Sequence, residues 1–337
     1  MASRKALVIR ATGTQGTAVT RHLLQNNFII HALVRDKTED RALALQALGA
    51  ILFEGTLNDS QSMMQTLSLE ESTSQIAALQ AEKSTIGNTG ALEAAIEGCD
   101  SLYLNLMPSF SNDSETESAK FVLAAAKSTG VEHVIYSSAV SVGRSRDNPQ
   151  WDEDNIAAGA HAGKEVVEEL VRSAGIPYYT ILKPGVFMTN FFLPGAPFMF
   201  AELGSTGEFV TSYNPETVLP LIDPNDIGAF AAAAFLDPVR FGGQEIPLAG
   251  DPLTVEELVQ AIANASGKNI KGVYRSKEET EALAKVNPFV AGQILSLAIN
   301  RLVNIEEVKT WGIPLGSFEA FMKREKNLVD KSFEALS

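Results

Sequence analysis

After a short apolar run the chain reads Arg10-Ala11-Thr12-Gly13-Thr14-Gln15-Gly16 and then turns helical in pattern. A strand, a turn of small residues and a helix form the context in which backbone N–H groups and a helix dipole hold a pyrophosphate. Gly13 would let the backbone approach the phosphates, and Gly16 would let helix and strand pack closely. Thr12, Thr14 and Gln15 complete the turn. Arg10 stands where the first glycine of a G-x-x-G-x-x-G pattern is expected, acceptable if its φ stays negative. The second candidate strand ends in Arg35-Asp36-Lys37. An acidic residue there suits a ribose 2′-hydroxyl, whereas a guanidinium suits a 2′-phosphate. Read with the glycine turn, Arg35 and Lys37 point to NADP(H). Arg10 either joins them as a second arm or reaches solvent. The alternative for RDKTEDR is a solvated charge cluster.

Proton-transfer candidates lie further along. His161 precedes Lys164 by three residues, so the two share a face if the helix has begun by then. Histidine titrates in the range useful for proton transfer; the other reading is a surface histidine on a first helical turn. Ser137 and Ser138 follow the fifth candidate strand, as ligand contacts or as turn caps. Tyr103, Tyr178 and Tyr179 read as core or sheet residues. Four scattered histidines and one cysteine give no metal-ligand spacing, so no metal is expected. There is no G-x-S-x-G elbow and no Walker-type loop. Asp152, Glu153 and Asp154 follow Asn148-Pro149 and read as a solvated loop.

These residues need a scaffold. Strand patterns fall at Ala6–Ile9, Ile29–Val34, Ile51–Glu54, Ser101–Leu106, His133–Ser137 and Tyr179–Lys183. Amphipathic patterns fall between them at Thr17–Gln25, Arg41–Leu48, Glu115–Ser128 and Gly163–Ala174. The alternation implies an α/β fold, a doubly wound parallel sheet of Rossmann type, with ligands beyond the carboxyl ends of its strands. We expect a Rossmann domain over 1–183 and a smaller, mostly helical substrate lobe over 184–337, the chain being free to return to the sheet. The stretch 58–98 exceeds one crossover and reads as an extended helix with a polar loop near Ser84–Gly90. That is a surface elaboration or a contact for a partner or a second copy. In the later half, Thr254 and Glu257 form a capping box for a helix ending near Gly267, and helices follow near Lys277–Lys285 and Pro288–Asn300; no convincing independent sheet is read there.

The chain has 337 residues, 45% hydrophobic and 20% charged, with a formal net charge of −14. The charge argues against direct nucleic-acid binding. No apolar run approaches the roughly 20 residues of a membrane span. MASRKALVIR runs directly into a strand, not a signal-type segment, and Cys99 is the single cysteine; both lead us to expect a cytoplasmic protein.

The pieces ATGTQG, FEGTLNDSQSM, HVIYSSAVSV, HAGKEVVEELVRSAGIPYYTILKPGVFMTNF and FEAFMKRE resemble the NmrA-like family, atypical extended short-chain dehydrogenases/reductases. The resemblance implies NADP(H) across the strand ends. By it, Gly55, Thr56 and Leu57 border the adenine, and Asn105, Leu106 and Met107 pass near the ribose and nicotinamide. Lys164 holds the nicotinamide ribose, Pro184, Gly185, Val186 and Phe187 line the nicotinamide pocket, and Asn190 lies near the substrate. In the wider superfamily a Tyr-x-x-x-Lys pair supplies the acid, yet four residues before Lys164 stands Ala160.

Two functions follow. The first is an oxidoreductase for a bulky apolar substrate, with Phe187, Met188, Phe191, Phe192, Phe198, Met199 and Phe200 as an apolar wall broken by Pro194 and Pro197. Similarity to fungal tailoring enzymes of secondary metabolism would put the hydride at an imine or iminium, where the missing tyrosine matters less. Such a pocket could also fold a substrate for cyclisation. The second is a non-catalytic NADP(H) sensor that binds a transcription factor, its acidic surface suiting a basic partner.

Overall fold

The computed structural model describes residues 4–57, 89–109, 113–144 and 147–336. Seven strands form one sheet: β1 (Lys5–Val8), β2 (Ile29–Val34), β3 (Ile51–Glu54), β4 (Ser101–Leu104), β5 (His133–Ser137), β6 (Tyr178–Pro184) and β10 (Gln244–Leu248). Their order is β10-β6-β5-β4-β1-β2-β3. The neighbours β1–β2, β2–β3, β1–β4 and β4–β5 all run parallel. Helices α1 (Thr14–Gln25), α2 (Asp40–Ala47), α3 (Thr89–Ile96), α4 (Ser114–Thr129) and α5 (Ala158–Ser173) alternate with them. β1, β2 and β4 are almost wholly buried, as strands covered on both faces require, whereas the edge strand β3 is partly exposed.

Several boundaries differ from the sequence pattern: α5 starts at Ala158 rather than Gly163, and the helix expected over Pro288–Asn300 ends at Leu295. Two further differences have local reasons. α1 begins at Thr14 rather than Thr17, because Gly13 is its N-cap in extended geometry and the two following polar residues make up the first turn. β4 stops at Leu104, ahead of Pro108, so Asn105–Met107 is loop. The expected polar loop begins within 58–88, which lies outside the described residues; the ALEAAI run lies in α3, which ends before Glu97-Gly98.

The chain forms two compact units. The first comprises residues 1–137, 159–181 and 231–244; the second comprises 138–158, 182–230 and 245–337. Thus 138–158 falls outside the first unit, whereas 231–244 returns to it. In the first unit Leu7, Ile9, Leu102, Leu104, Val122, Val134, Tyr136, Val167 and Ile181 share one buried core.

The second unit corrects the sequence reading that it lacks a sheet of its own. Short strands β7 (Val186–Phe187), β9 (Val218–Ile222) and β11 (Asp251–Thr254) form a three-stranded sheet. β8 (Glu208–Thr211) pairs with β12 (Lys271–Tyr274). Runs of two to five residues, interrupted by Pro220 and Pro252, carry too little periodicity to read. The capping box of Thr254 and Glu257 is present, and Gly267 ends that helix with φ 69°, a left-handed value suited to glycine.

A buried acid pair anchors this unit. Asp223 (1% exposed) receives both terminal nitrogens of Arg324, at 2.7 and 3.0 Å. Asp226, also buried, accepts from the Gly316 N–H at 2.9 Å. Burial raises the Asp226 carboxyl to about 7, with the nearby Asp223 charge adding to the rise. A carboxyl whose pKa is raised on folding holds its proton in the native state alone between the unfolded value, roughly 3.9, and about 7. Its stabilisation is full below that window and is lost as pH rises through it. Replacing Asp226 with asparagine keeps the acceptor and removes the titration. The stability of Asp226→Asn minus wild type, from urea melts, is expected to grow by about 3 kcal/mol between pH 4 and 7.5. A flat difference would refute it.

Candidate functional site

The parallel registers bring the chemistry to one edge. Val8 pairs with Ala32 and Tyr103, Val34 with Glu54, and Leu104 with Tyr136. The glycine turn, Arg35, Gly55–Leu57, Asn105–Met107 and Ser137 therefore all leave the carboxyl ends of adjacent strands, where open α/β sheets bind ligands.

The glycine turn is tightly made. The Gly13 N–H donates to the Arg10 carbonyl at 2.9 Å, Thr17 N–H donates to the Gly13 carbonyl at 2.9 Å, and Thr17 Oγ1 donates to the Ala11 carbonyl at 3.2 Å. A Cβ on Gly16 would lie 2.2 Å from the Arg10 carbonyl oxygen and 2.7 Å from Ala11 Cα. Helix and turn touch through backbone there. At Gly13 a Cβ would meet that same oxygen at a tight 3.2 Å. The first-turn N–H groups of α1, from Thr14, Gln15 and Gly16, open toward the edge; a helix cannot satisfy these internally. Arg10 corrects an expectation: its φ is +55°, the left-handed region that favours glycine. The turn demands it, since the Arg10 carbonyl must face both Gly13 and Gly16. The cost is about 1 kcal/mol.

Gln15 pins α1 to the sheet. Its side-chain oxygen accepts from Ser137 Oγ at 2.6 Å and from the buried Tyr103 hydroxyl at 2.9 Å. Burial pushes the Tyr103 phenol above its ordinary value. Arg35 is exposed and bonds Glu39 at 2.9 Å, a surface pair one turn apart worth well under 1 kcal/mol. Lys37 is exposed, and its N–H donates to Glu54 at 3.2 Å. Gly55 and Leu57 are half-buried, Thr56 is exposed, Asn105 and Leu106 are buried and Met107 is half-buried.

On the opposite face of β5 lies a group that the spacing of the sequence does not reveal. Lys164 Nζ donates to Glu115 Oε1 at 2.7 Å, and the Tyr136 hydroxyl donates to the same oxygen at 3.3 Å. Lys164 Nζ also sits 5.7 Å from the centre of the Tyr136 ring. Glu115 is 1% exposed and Tyr136 fully buried, while the Lys164 side chain keeps 13% of its surface. Burial raises the Glu115 carboxyl, and Lys164 and Tyr136 oppose the rise. His161 and Lys164 both lie on α5, which begins at Ala158, and His161 is half-buried. Ala160 is buried.

The remaining residues belong to the second unit. Ser138 is buried, its N–H donating to the Leu182 carbonyl at 2.8 Å. Gly185 is forced: a Cβ there would meet the Pro220 carbonyl oxygen at 2.3 Å. Pro184 is buried, and Val186, Phe187 and Asn190 are half-buried. The apolar wall is corrected in part. Met188, Phe191, Phe192 and Phe200 are buried in a core with Phe209, Phe318, Phe321 and Phe333. Phe200 stacks on Phe209 at 4.4 Å, and Phe192 meets Phe318, Phe321 and Phe333 at about 6 Å. Rings packed on rings are core, not lining. Phe198 is 53% exposed and Met199 packs at the core's edge. Phe191 also borders an open groove of about 300 Å³ with Leu193, Pro197, Lys331 and Phe333. Asp152, Glu153 and Asp154 are exposed. No His/Cys/Asp/Glu group among the described residues could hold a metal ion. Among them, too, no helix is long and apolar enough to cross a membrane.

Comparison with known proteins matches the model of the NmrA-like family over residues 2–305. The NmrA-like family domain-containing oxidoreductase himF of Aspergillus japonicus is 25% identical over 277 residues, 79% of this chain and 74% of that one. Two solved structures share the fold. The NADPH-dependent quinone oxidoreductase QOR2 of Escherichia coli, complexed with NADPH, has TM-score 0.65 at 20% identity, covering 96% of this chain and 100% of that one. NmrA, a negative transcriptional regulator in complex with NADP, has TM-score 0.64 at 19% identity, covering 100% and 93%.

Proposed function

Since this chain belongs to the NmrA-like family, we propose that it is an NADP(H)-dependent oxidoreductase acting on a bulky small molecule at an imine or iminium centre. The observation that carries the reading is the strand edge itself, where a backbone-tight glycine turn, the open first turn of α1 and the Arg35 guanidinium leave adjacent parallel strands. That donor set fits a dinucleotide. The α1 N–H groups would take the pyrophosphate, Arg35 with Arg10 and Lys37 a 2′-phosphate, and Gly55, Thr56 and Leu57 the adenine side. Asn105, Leu106, Met107, Ser137 and Lys164 would border the riboses and nicotinamide. When bound, NADP(H) supplies or accepts the hydride.

The chain's part is to bind, orient and shield. Ala160 carries no proton to give, so a substrate whose nitrogen already bears the proton or charge suits it better than a ketone. His161 and Ser138 are the side chains we would test as proton carriers. Oxidoreductase relatives support the class, and a tailoring role in secondary metabolism, with cyclisation of the folded substrate, is its finer form. Transfer of deuterium from labelled NADPH to cyclic imines tests it. A sensor of NADP(H) that binds a regulatory protein is the second reading, favoured by Ala160 and by the regulator NmrA among the fold neighbours. Cofactor-dependent capture of a basic protein partner, without deuterium transfer, would select it.

Arg10 separates stability from selectivity. Arg10→Gly is expected to raise stability by about 1 kcal/mol, because glycine accepts the left-handed φ. It is also expected to weaken NADPH at least fivefold more than NADH. Equal effects on the two cofactors in fluorescence titrations would remove Arg10 from the phosphate site.

A further inference from the structure

We infer that Glu115 is the positioning residue for Lys164: it holds the ammonium at the sheet edge so that the remaining N–H donors are presented to the nicotinamide ribose. The inference rests on the oxidoreductase reading above and concerns a residue that the Tyr-x-x-x-Lys comparison leaves out.

Three observations support it. Glu115 lies in the first turn of α4, whose positive end favours a carboxylate, and its Oε1 receives both Lys164 Nζ and the Tyr136 hydroxyl. The carboxylate and the phenol are sealed from solvent, and the lysine side chain alone retains exposure. A buried ion pair is weak stabilisation compared with apolar residues of the same volume, so stability by itself does not account for it. Tyr136, at 0% exposure, is out of reach of any substrate; it braces the carboxylate and the ring lies beside the ammonium. In a chain with alanine at position 160, the lysine is oriented from below, by α4 and β5, rather than by a neighbour on its own helix.

NADPH binding tests this without a known substrate. Glu115→Gln is expected to weaken NADPH about tenfold in fluorescence titrations, with the variant's thermal melt confirming a folded protein. Adding Lys164→Met to Glu115→Gln should then weaken binding no more than twofold further, because an untethered lysine contributes little. In NMR spectra of lysine-labelled protein, the Lys164 side-chain signal should shift on NADP+ addition in wild type and not in Glu115→Gln. Tyr136→Phe, which removes one hydroxyl, should weaken NADPH about threefold and serves if Glu115→Gln does not fold. Unchanged binding in Glu115→Gln, or a further tenfold loss on adding Lys164→Met, would overturn the inference while leaving the oxidoreductase reading intact. A wild-type protein that does not bind NADPH would overturn both.

Discussion

Gly16→Ala is expected to abolish measurable dinucleotide binding and to destabilise the protein by about 3 kcal/mol, the upper range for forcing a methyl group into packed surroundings. The added Cβ would stand 2.2 Å from the Arg10 carbonyl oxygen, 2.7 Å from Ala11 Cα and 2.9 Å from the Arg10 carbonyl carbon. All three are backbone, so no side-chain rotation relieves them. Moving α1 away would break the Thr17 and Gly13 bonds that close the turn and carry Gln15 from Ser137 and Tyr103. Gly13→Ala is the control. Its φ is −74°, open to alanine, and its nearest contact is 3.2 Å, so it should cost about 1 kcal/mol or less. Urea melts with NADPH titrations check both, and equal losses for the two variants would contradict the geometry.

Lys164→Met is expected to cost about 3–5 kcal/mol, the usual penalty for leaving one buried charge without its partner. Glu115, at 1% exposure, would keep only the Tyr136 hydroxyl among its two Oε1 donors. Pairing the change with Glu115→Leu should recover most of that stability, because the uncompensated carboxylate disappears with its partner. NADPH binding should stay weak in the double variant, since the lysine is still missing. A single Lys164→Met that costs less than about 1 kcal/mol would mean that the carboxylate simply protonates and tolerates burial.

The sheet was legible because β1, β2, β3, β5 and β6 are short, β-rich runs separated by amphipathic helices, and these five expected strands match the observed bounds within one residue. That the glycine turn and Arg35 sit at strand ends was legible for a related reason, since a strand followed at once by a turn is a local pattern. Glu115 and Tyr136 were not. An acid in a helix's first turn reads as an ordinary dipole partner, and a tyrosine in a strand as core. Their meaning lies in residues 115, 136 and 164 meeting in space. The aromatic run after Lys183 was misread for the opposite reason. Phenylalanines can line a cavity or fill it, and the choice depends on Phe209, Phe318, Phe321 and Phe333, from distant parts of the chain. Arg10 shows a third limit: its φ is set by carbonyl contacts three and six residues away, which side-chain identity does not report.

The return of residues 231–244 to the first unit has a consequence for synthesis on the ribosome. Phe235 packs edge-on against His133 at 5.3 Å and beside Phe28 at 6.3 Å, and Arg4 donates to its carbonyl. Thr180 Oγ1 donates to the Phe241 carbonyl at 2.9 Å, leaving its oxygen to face His133 Nε2. A nascent chain that has reached residue 184 already has six of the sheet's strands, yet one wall of that unit's core is still unmade. Domains usually fold as they emerge. This one is complete only at residue 244, and until then the apolar surfaces of Phe28 and of the start of β5 at His133 lack the cover that Phe235 gives them.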